Sequence, residues 1–275
     1  MTVKDKILQG RTYLGIELGS TRIKAVLIDD SFSVIASGSK QWENRFENGC
    51  WTYSLDDIHG GIQACYKDLA ENVKAQYGIY PETYGAMGIS AMMHGYMAFD
   101  KNDKLLVPFR TWRNTMTAQA AGELTKLLGF NIPQRWSIAH LYQAVLNKEA
   151  HVPYIAYINT LAGYVHKRLT DRFEVGVGEA SGIFPVEGIG YKKEYLELTE
   201  KSLAEKGFDH KLKDILPAVR NAGEKGAVLT EEGARFLDPE GRLKAGVPVC
   251  PPEGDAGTGM VATDSVLKKT GNISA

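Results

Sequence analysis

Two short apolar runs, Tyr13-Leu-Gly-Ile-Glu-Leu18 and Ile23-Lys-Ala-Val-Leu-Ile28, are separated only by Gly19-Ser-Thr-Arg22, and this pattern constrains the fold more than any other. Apolar, β-branched runs divided by a polar turn with glycine read as a hairpin. The second run is almost continuously apolar, as suits a strand covered on both faces. After Asp29-Asp30-Ser31 a third strand is predicted over about 33–38. Three strands before any helix exclude a dinucleotide-binding βαβ unit, which crosses over through a helix after its first strand.

The rest of the chain alternates. Ser54 with Asp57 three residues on opens a helix, and Ile58, Ile62, Cys65, Leu69 and Val73 recur at helical spacing until Gly78 ends it. A strand over 86–90 leads into Ala91-Met-Met-His-Gly95, and 96–99 reads as a further short strand. Helices are predicted over 117–128, 138–146, 155–168, 195–206 and 230–237. A strand with a glycine-rich turn falls at 173–184, and a short strand at 247–250 opens onto Pro251-Pro-Glu-Gly-Asp255. No repeat or low-complexity stretch interrupts this order, so the class is α/β with a mixed sheet.

Composition excludes several functions. The 32 Lys+Arg against 33 Asp+Glu leave a net charge of −1, which gives no large positive field for nucleic acid. No apolar run approaches the ~18 residues of a membrane helix. The polar start, Met1 to Gly10, has no apolar signal region. The three cysteines, Cys50, Cys65 and Cys250, form no C-x-x-C pair, which fits a reducing compartment. A soluble, cytoplasmic protein with no nucleic-acid or membrane partner is therefore expected.

Four constellations carry chemistry. In the hairpin, backbone N–H groups with the Ser20 and Thr21 hydroxyls suit phosphate oxygens, Glu17 suits Mg²⁺ directly or through water, and Lys24 suits a terminal phosphoryl group. The plain alternative is an ordinary hairpin with solvated charges. In Met93-His94-Gly95 a histidine after a buried strand can meet a small polar ligand, or can be structural. In Trp112-Arg113-Asn114 the indole offers a flat face for a sugar ring and the polar neighbours suit hydroxyls; a surface turn reads equally well. In Gly254-Asp255 an aspartate at a tight turn suits a base over a cleft, or simply an N-cap. There is no zinc-spaced histidine pair, G-x-S-x-G, Walker A or Rossmann fingerprint.

In their order and separation these segments, with Gly178-Glu-Ala-Ser-Gly182, resemble the amino-terminal lobe of the FGGY carbohydrate kinases, xylulokinase branch, from Thr12 to Ala275. The resemblance implies an actin-like ATPase, ribonuclease-H-like lobe with a mixed five-stranded sheet and helices on both faces. It implies ATP and Mg²⁺ as cofactors and a ketose or polyol as phosphoryl acceptor. Asp255 would be the catalytic base, and Met93, His94, Trp112, Arg113 and Asn114 would bind sugar. Gly19, Ser20, Thr21 and Lys24 would bind the phosphates, and Glu17 and Asp255 the metal. Residues 1–264 would form the lobe, and 265–275 the start of a second, nucleotide-binding lobe on which activity depends. Without that lobe the chain is expected to be inactive and to self-associate weakly, as in a homodimer. Two departures stand out: Glu17 and Asn114 take positions where the family usually has Asp. Rival readings are an actin-like ATPase used as a binding module, and a sugar sensor without catalysis.

Overall fold

The computed structural model describes residues 1–262 apart from Lys225. After a capped first helix, α1 (Val3–Leu8), the chain lays down β1 (Thr12–Leu18), β2 (Arg22–Asp29) and β3 (Val34–Gln41) as an antiparallel meander. Alternation along β1 decides its orientation. Thr12, Leu14, Ile16 and Leu18 are buried, while Tyr13, Gly15 and Glu17 face the other way. A small hairpin, β4 (Arg45–Glu47) and β5 (Cys50–Thr52), then precedes the long helix α2 (Leu55–Tyr77). The Ser54 hydroxyl and Asp57 carboxylate cap α2 reciprocally, and Gly78 closes it in the left-handed conformation. Gly38 on β3 lets α2 sit directly on the sheet, since a Cβ there would come within 2.8 Å of Leu69 Cβ.

Next come β6 (Ala86–Ala91), parallel to β1, and β7 (Met97–Phe99). A second apolar cluster follows, built on α3 (Ala118–Leu128) and α4 (Ser137–Leu146), with Tyr96, Leu124, Ile138 and Phe184 at its centre. The helix expected over 155–168 starts late. Tyr157–Asn159 pair with β7 as β8, and the Thr160 side chain then caps α5 (Leu161–Thr170) by accepting from the Gly163 N–H. The remaining elements are β9 (Glu174–Gly176), α6 (Val177–Ala180), α7 (Lys193–Glu205), α8 (Leu212–Ile215), β10 (Ala218–Arg220), β11 (Ala227–Val228), α9 (Glu231–Leu237), β12 (Pro248–Val249), β13 (Glu253–Gly254) and α10 (Asp255–Ala262).

The main sheet runs β11-β12-β6-β1-β2-β3, with β13 also on β6. It is mixed, as expected, but has seven strands among the described residues, not five. The difference lies in two-residue strands too short to leave a hydrophobic period in the sequence. Helices lie on both faces: α2, α5 and α9 pack together under the buried side, and Thr258 of α10 bonds Ser90 on the side of Glu17. The expected strand at 271–275 and the boundary at 264–265 fall outside the described residues. No helix among those described is long and apolar enough to cross a membrane.

Candidate active site

Strand direction gathers the motifs. Strands β6 and β13 both run parallel, Glu253 opposite Ser90 and Gly254 opposite Ala91, and β1 runs parallel to β6 on its other side. Their carboxyl ends therefore open along one edge, where ligands of open α/β sheets bind. Leu18 there runs into the Gly19–Arg22 turn, Ala91 into Met93-His94-Gly95, and Gly254 into Asp255.

Asp255 is the first residue of α10, where the helix dipole favours a carboxylate. Its Oδ1 accepts the Met93 N–H at 3.1 Å and the Ala256 N–H at 3.0 Å. Oδ2 has no partner among the described residues and the residue is exposed. The carboxylate is thus fixed by one oxygen and free at the other, as a base requires. Gly254 makes this possible: a Cβ there would strike Met93 Cγ and lie 2.7 Å from Glu179 Oε2.

His94 adopts a left-handed backbone (φ 69°), and its Nδ1 lies 3.4 Å from the Gly182 carbonyl. Burial pushes its pKa down, so the ring is neutral at pH 7. An isolated antiparallel bridge pairs Tyr96 with Arg110, two residues after His94 and two before Trp112. Trp112, 39% exposed, donates its indole N–H to Ser20 Oγ at 3.2 Å. Asp255 thus bonds the Met93-His94 segment, and Trp112 bonds the hairpin.

Arg113 and Asn114 turn toward β5 instead. The Arg113 guanidinium lies 3.8 Å over the Trp51 ring. Asn114 is buried: its Oδ1 accepts the Trp51 N–H at 2.9 Å, and its amide donates to the carbonyls of Trp51 (2.8 Å) and Thr111 (3.0 Å). Both its N–H donors are committed within the protein, so the structure gives it the work of holding the β4–β5 hairpin in place.

Glu17 and Lys24 face each other across β1 and β2. With Ser90, Cys250, Glu253 and Thr258 they line a cleft of about 410 Å³ on the open face of the sheet. Glu17 Oε1 lies against the turn, 3.3 Å from where a Gly19 Cβ would sit. No group of three His, Cys, Asp or Glu side chains gathers to cage a metal among the described residues. The donor set instead suits a hard cation arriving with phosphate oxygens, as Mg²⁺ commonly does, through one or two carboxylates.

Two carboxyl groups beneath the Gly254-Asp255 turn went unmarked in the sequence reading. The Glu253 side chain accepts the Glu179 N–H at 3.0 Å, tying this turn to Gly178-Glu-Ala-Ser-Gly182, and burial pushes its pKa up. Glu179 is wholly buried, neither oxygen makes a hydrogen bond among the described residues, and burial raises its pKa to about 8, so it is the neutral acid at pH 7. A lone glutamate in a glycine-rich turn gives no sequence signal for such burial.

The antiparallel β1–β3 meander and the parallel crossover to β6 define a lobe of the actin-like ATPase fold. The chain belongs to the FGGY family of carbohydrate kinases, matching its N-terminal domain over residues 12–262. It is 23% identical over 124 residues to a xylulose kinase of Lactococcus lactis, covering 42% of this chain and 23% of that one. The fold is similar to a xyloylose kinase from Brucella ovis (TM-score 0.72, 22% identity, 90% of this chain and 50% of that one). It is also similar to a gluconate kinase from Lactobacillus acidophilus (TM-score 0.70, 18% identity, 92% and 50%) and a glycerol kinase from Plasmodium falciparum (TM-score 0.69, 14% identity, 92% and 50%). The chain spans about half the length of these solved relatives.

Proposed function

We propose that this chain is the sugar-binding lobe of an ATP-dependent kinase that transfers the γ-phosphoryl group of ATP to a hydroxyl of a ketose or polyol. The observation that carries this reading is Asp255 held at the sheet edge by the Met93 N–H, with its second oxygen free. A sugar hydroxyl at Oδ2 would give up its proton there as its oxygen attacks the γ-phosphorus in line and the bond to the β-phosphate oxygen breaks. Such base assistance is worth ~10²–10⁴ in rate. Neutral His94 and the Trp112 face would orient the acceptor, with Arg113 at the rim. Asn114 acts through Trp51 and does not itself touch sugar. Gly19, Ser20, Thr21 and Lys24 would hold phosphate oxygens. Mg²⁺ held near Glu17 and Asp255 would neutralise charge on the phosphates.

The chain alone furnishes half of such a site. Phosphoryl transfer depends on positioning and on closure that excludes water, so the isolated chain is expected to bind sugar weakly without useful turnover. The partner this implies is a second, nucleotide-binding lobe, and the compartment is the cytoplasm. Calorimetric titration of the chain with a panel of ketoses and polyols tests the acceptor class. Binding that weakens about tenfold in His94→Ala supports it, and no binding to any member overturns it.

A further inference from the structure

The hairpin between β1 and β2 is gripped from one side by aromatic side chains that none of the site motifs contains. The Trp42 indole N–H donates to the Gly19 carbonyl at 2.7 Å, and the Tyr53 hydroxyl donates to the Ser20 carbonyl at 2.5 Å. The two rings stack on each other, centroids 4.1 Å apart at 25°. Both are buried, with relative exposures of 8% and 1%. Trp42 is itself tied down, its backbone N–H donating to the Thr21 carbonyl at 3.2 Å.

The consequence follows from peptide geometry. In a trans peptide unit the C=O and the N–H of the next residue point in opposite directions. No cis peptide bond occurs among the described residues. Drawing the Gly19 and Ser20 carbonyls toward Trp42 and Tyr53 therefore turns the Ser20 and Thr21 N–H groups away from them. Neither N–H donates to any acceptor among the described residues, whereas the flanking Gly19 N–H is used by the Arg22 carbonyl at 3.0 Å. Two adjacent unused donors on one side of a turn, with Lys24 on the strand that follows, make a cradle for an anionic oxygen.

We propose that Trp42 and Tyr53 are positioning residues for phosphate recognition: by holding two carbonyls they aim the Ser20 and Thr21 N–H groups at a phosphate oxygen. The proposal rests on the kinase reading above for the identity of the anion. It extends that reading by assigning the orientation of the turn to two residues outside it. Tyr53→Phe deletes one hydroxyl, keeps the stack and the buried volume, and leaves the Ser20 carbonyl without its donor. Trp42→Phe does the same for Gly19 at the cost of some packing.

The test is a nuclear magnetic resonance titration of the ¹⁵N-labelled 275-residue chain with sodium tripolyphosphate, following the Ser20 and Thr21 amide resonances. The parent is expected to show saturable shifts at both amides. Tyr53→Phe should bind about 3- to 10-fold more weakly, as loss of one hydrogen bond implies, with the spectrum outside the hairpin unchanged. Saturable parent shifts with equal affinity in Tyr53→Phe and Trp42→Phe would overturn the positioning role while leaving the phosphate hairpin intact. A parent whose Ser20 and Thr21 amides do not respond would overturn the phosphate reading of the hairpin, and the positioning role with it. Should Trp42→Phe unfold, Tyr53→Phe alone decides.

Discussion

The Met93 N–H and Asp255 Oδ1 lie 3.1 Å apart, joining residues 162 positions distant in the sequence at the carboxyl ends of β6 and β13. That bond aligns the carboxylate and couples the loop expected to meet sugar to the group expected to take its proton. Gly254 is what allows the approach.

Gly254→Ala should therefore damage both stability and function. Its Cβ would press on Met93 and Glu179, and neither can yield easily inside a packed turn. We expect a loss of about 1–3 kcal/mol, the usual cost of overpacking. Chemical denaturation measures it, and a variant as stable as the parent would show that the turn relaxes freely.

His94→Ala should weaken sugar binding about tenfold, the cost of one good hydrogen bond, with little change in melting temperature. Among the described residues the one hydrogen bond of its ring is the long contact to the Gly182 carbonyl. Calorimetry and a thermal melt of the same samples separate the two effects. Unfolding of the variant, or unchanged binding, would make His94 structural.

Asn114→Ala should cost about 1–3 kcal/mol by leaving the Trp51 N–H unpaired beside a cavity, while the Trp51 carbonyl keeps the Thr111 N–H and hydroxyl. The disturbance should also reach Arg113 through its stacking on Trp51. Asn114→Asp keeps the acceptor to the Trp51 N–H but sets a carboxylate against two carbonyls, so it should be no more stable than Asn114→Ala. Paired urea melts check both, and an Asp variant at parental stability would contradict the assignment.

Much of the framework was legible. The hairpin strands, the capped helix α2, β6 and the helices at α3, α4, α7 and α9 carry long apolar periods or capping residues that declare themselves locally. Asp255 and His94 stand out in sequence as candidates because glycines and strand ends flank them, and Trp112 because of its indole beside polar neighbours. What escaped was short or non-local. β4, β5 and β8 have three residues each, too few for a period, and β8 hid inside an apolar run that reads as the start of α5. Asn114 looks like a sugar ligand in sequence because nothing local reveals that Trp51, sixty-three positions earlier, occupies its amide. Trp42 and Tyr53 carry no local signal of their role, since the carbonyls they hold belong to a turn about 20 to 30 residues upstream.

The buried Glu179 sets a pH dependence. Unfolded, its carboxyl titrates near the ordinary 4.5; folded, at about 8. Between these values the folded protein keeps a proton that the unfolded chain has released, so this group makes stability fall as pH rises through that window. Glu179→Gln removes the titration. The variant's melting temperature should rise relative to the parent's between pH 5 and pH 8, as differential scanning calorimetry would show. A constant difference across that range would mean that Glu179 is ionised in the fold.

The measurement that bears most directly on the central claim is sugar phosphate formation from Mg-ATP and a panel of ketoses and polyols. The 275-residue chain alone should form none at a useful rate. Joined to a nucleotide-binding second lobe it should phosphorylate at least one member, and Asp255→Asn should reduce that rate by ~10²–10⁴ with the fold intact. Robust turnover by the chain alone, or undiminished turnover in Asp255→Asn, would contradict the account.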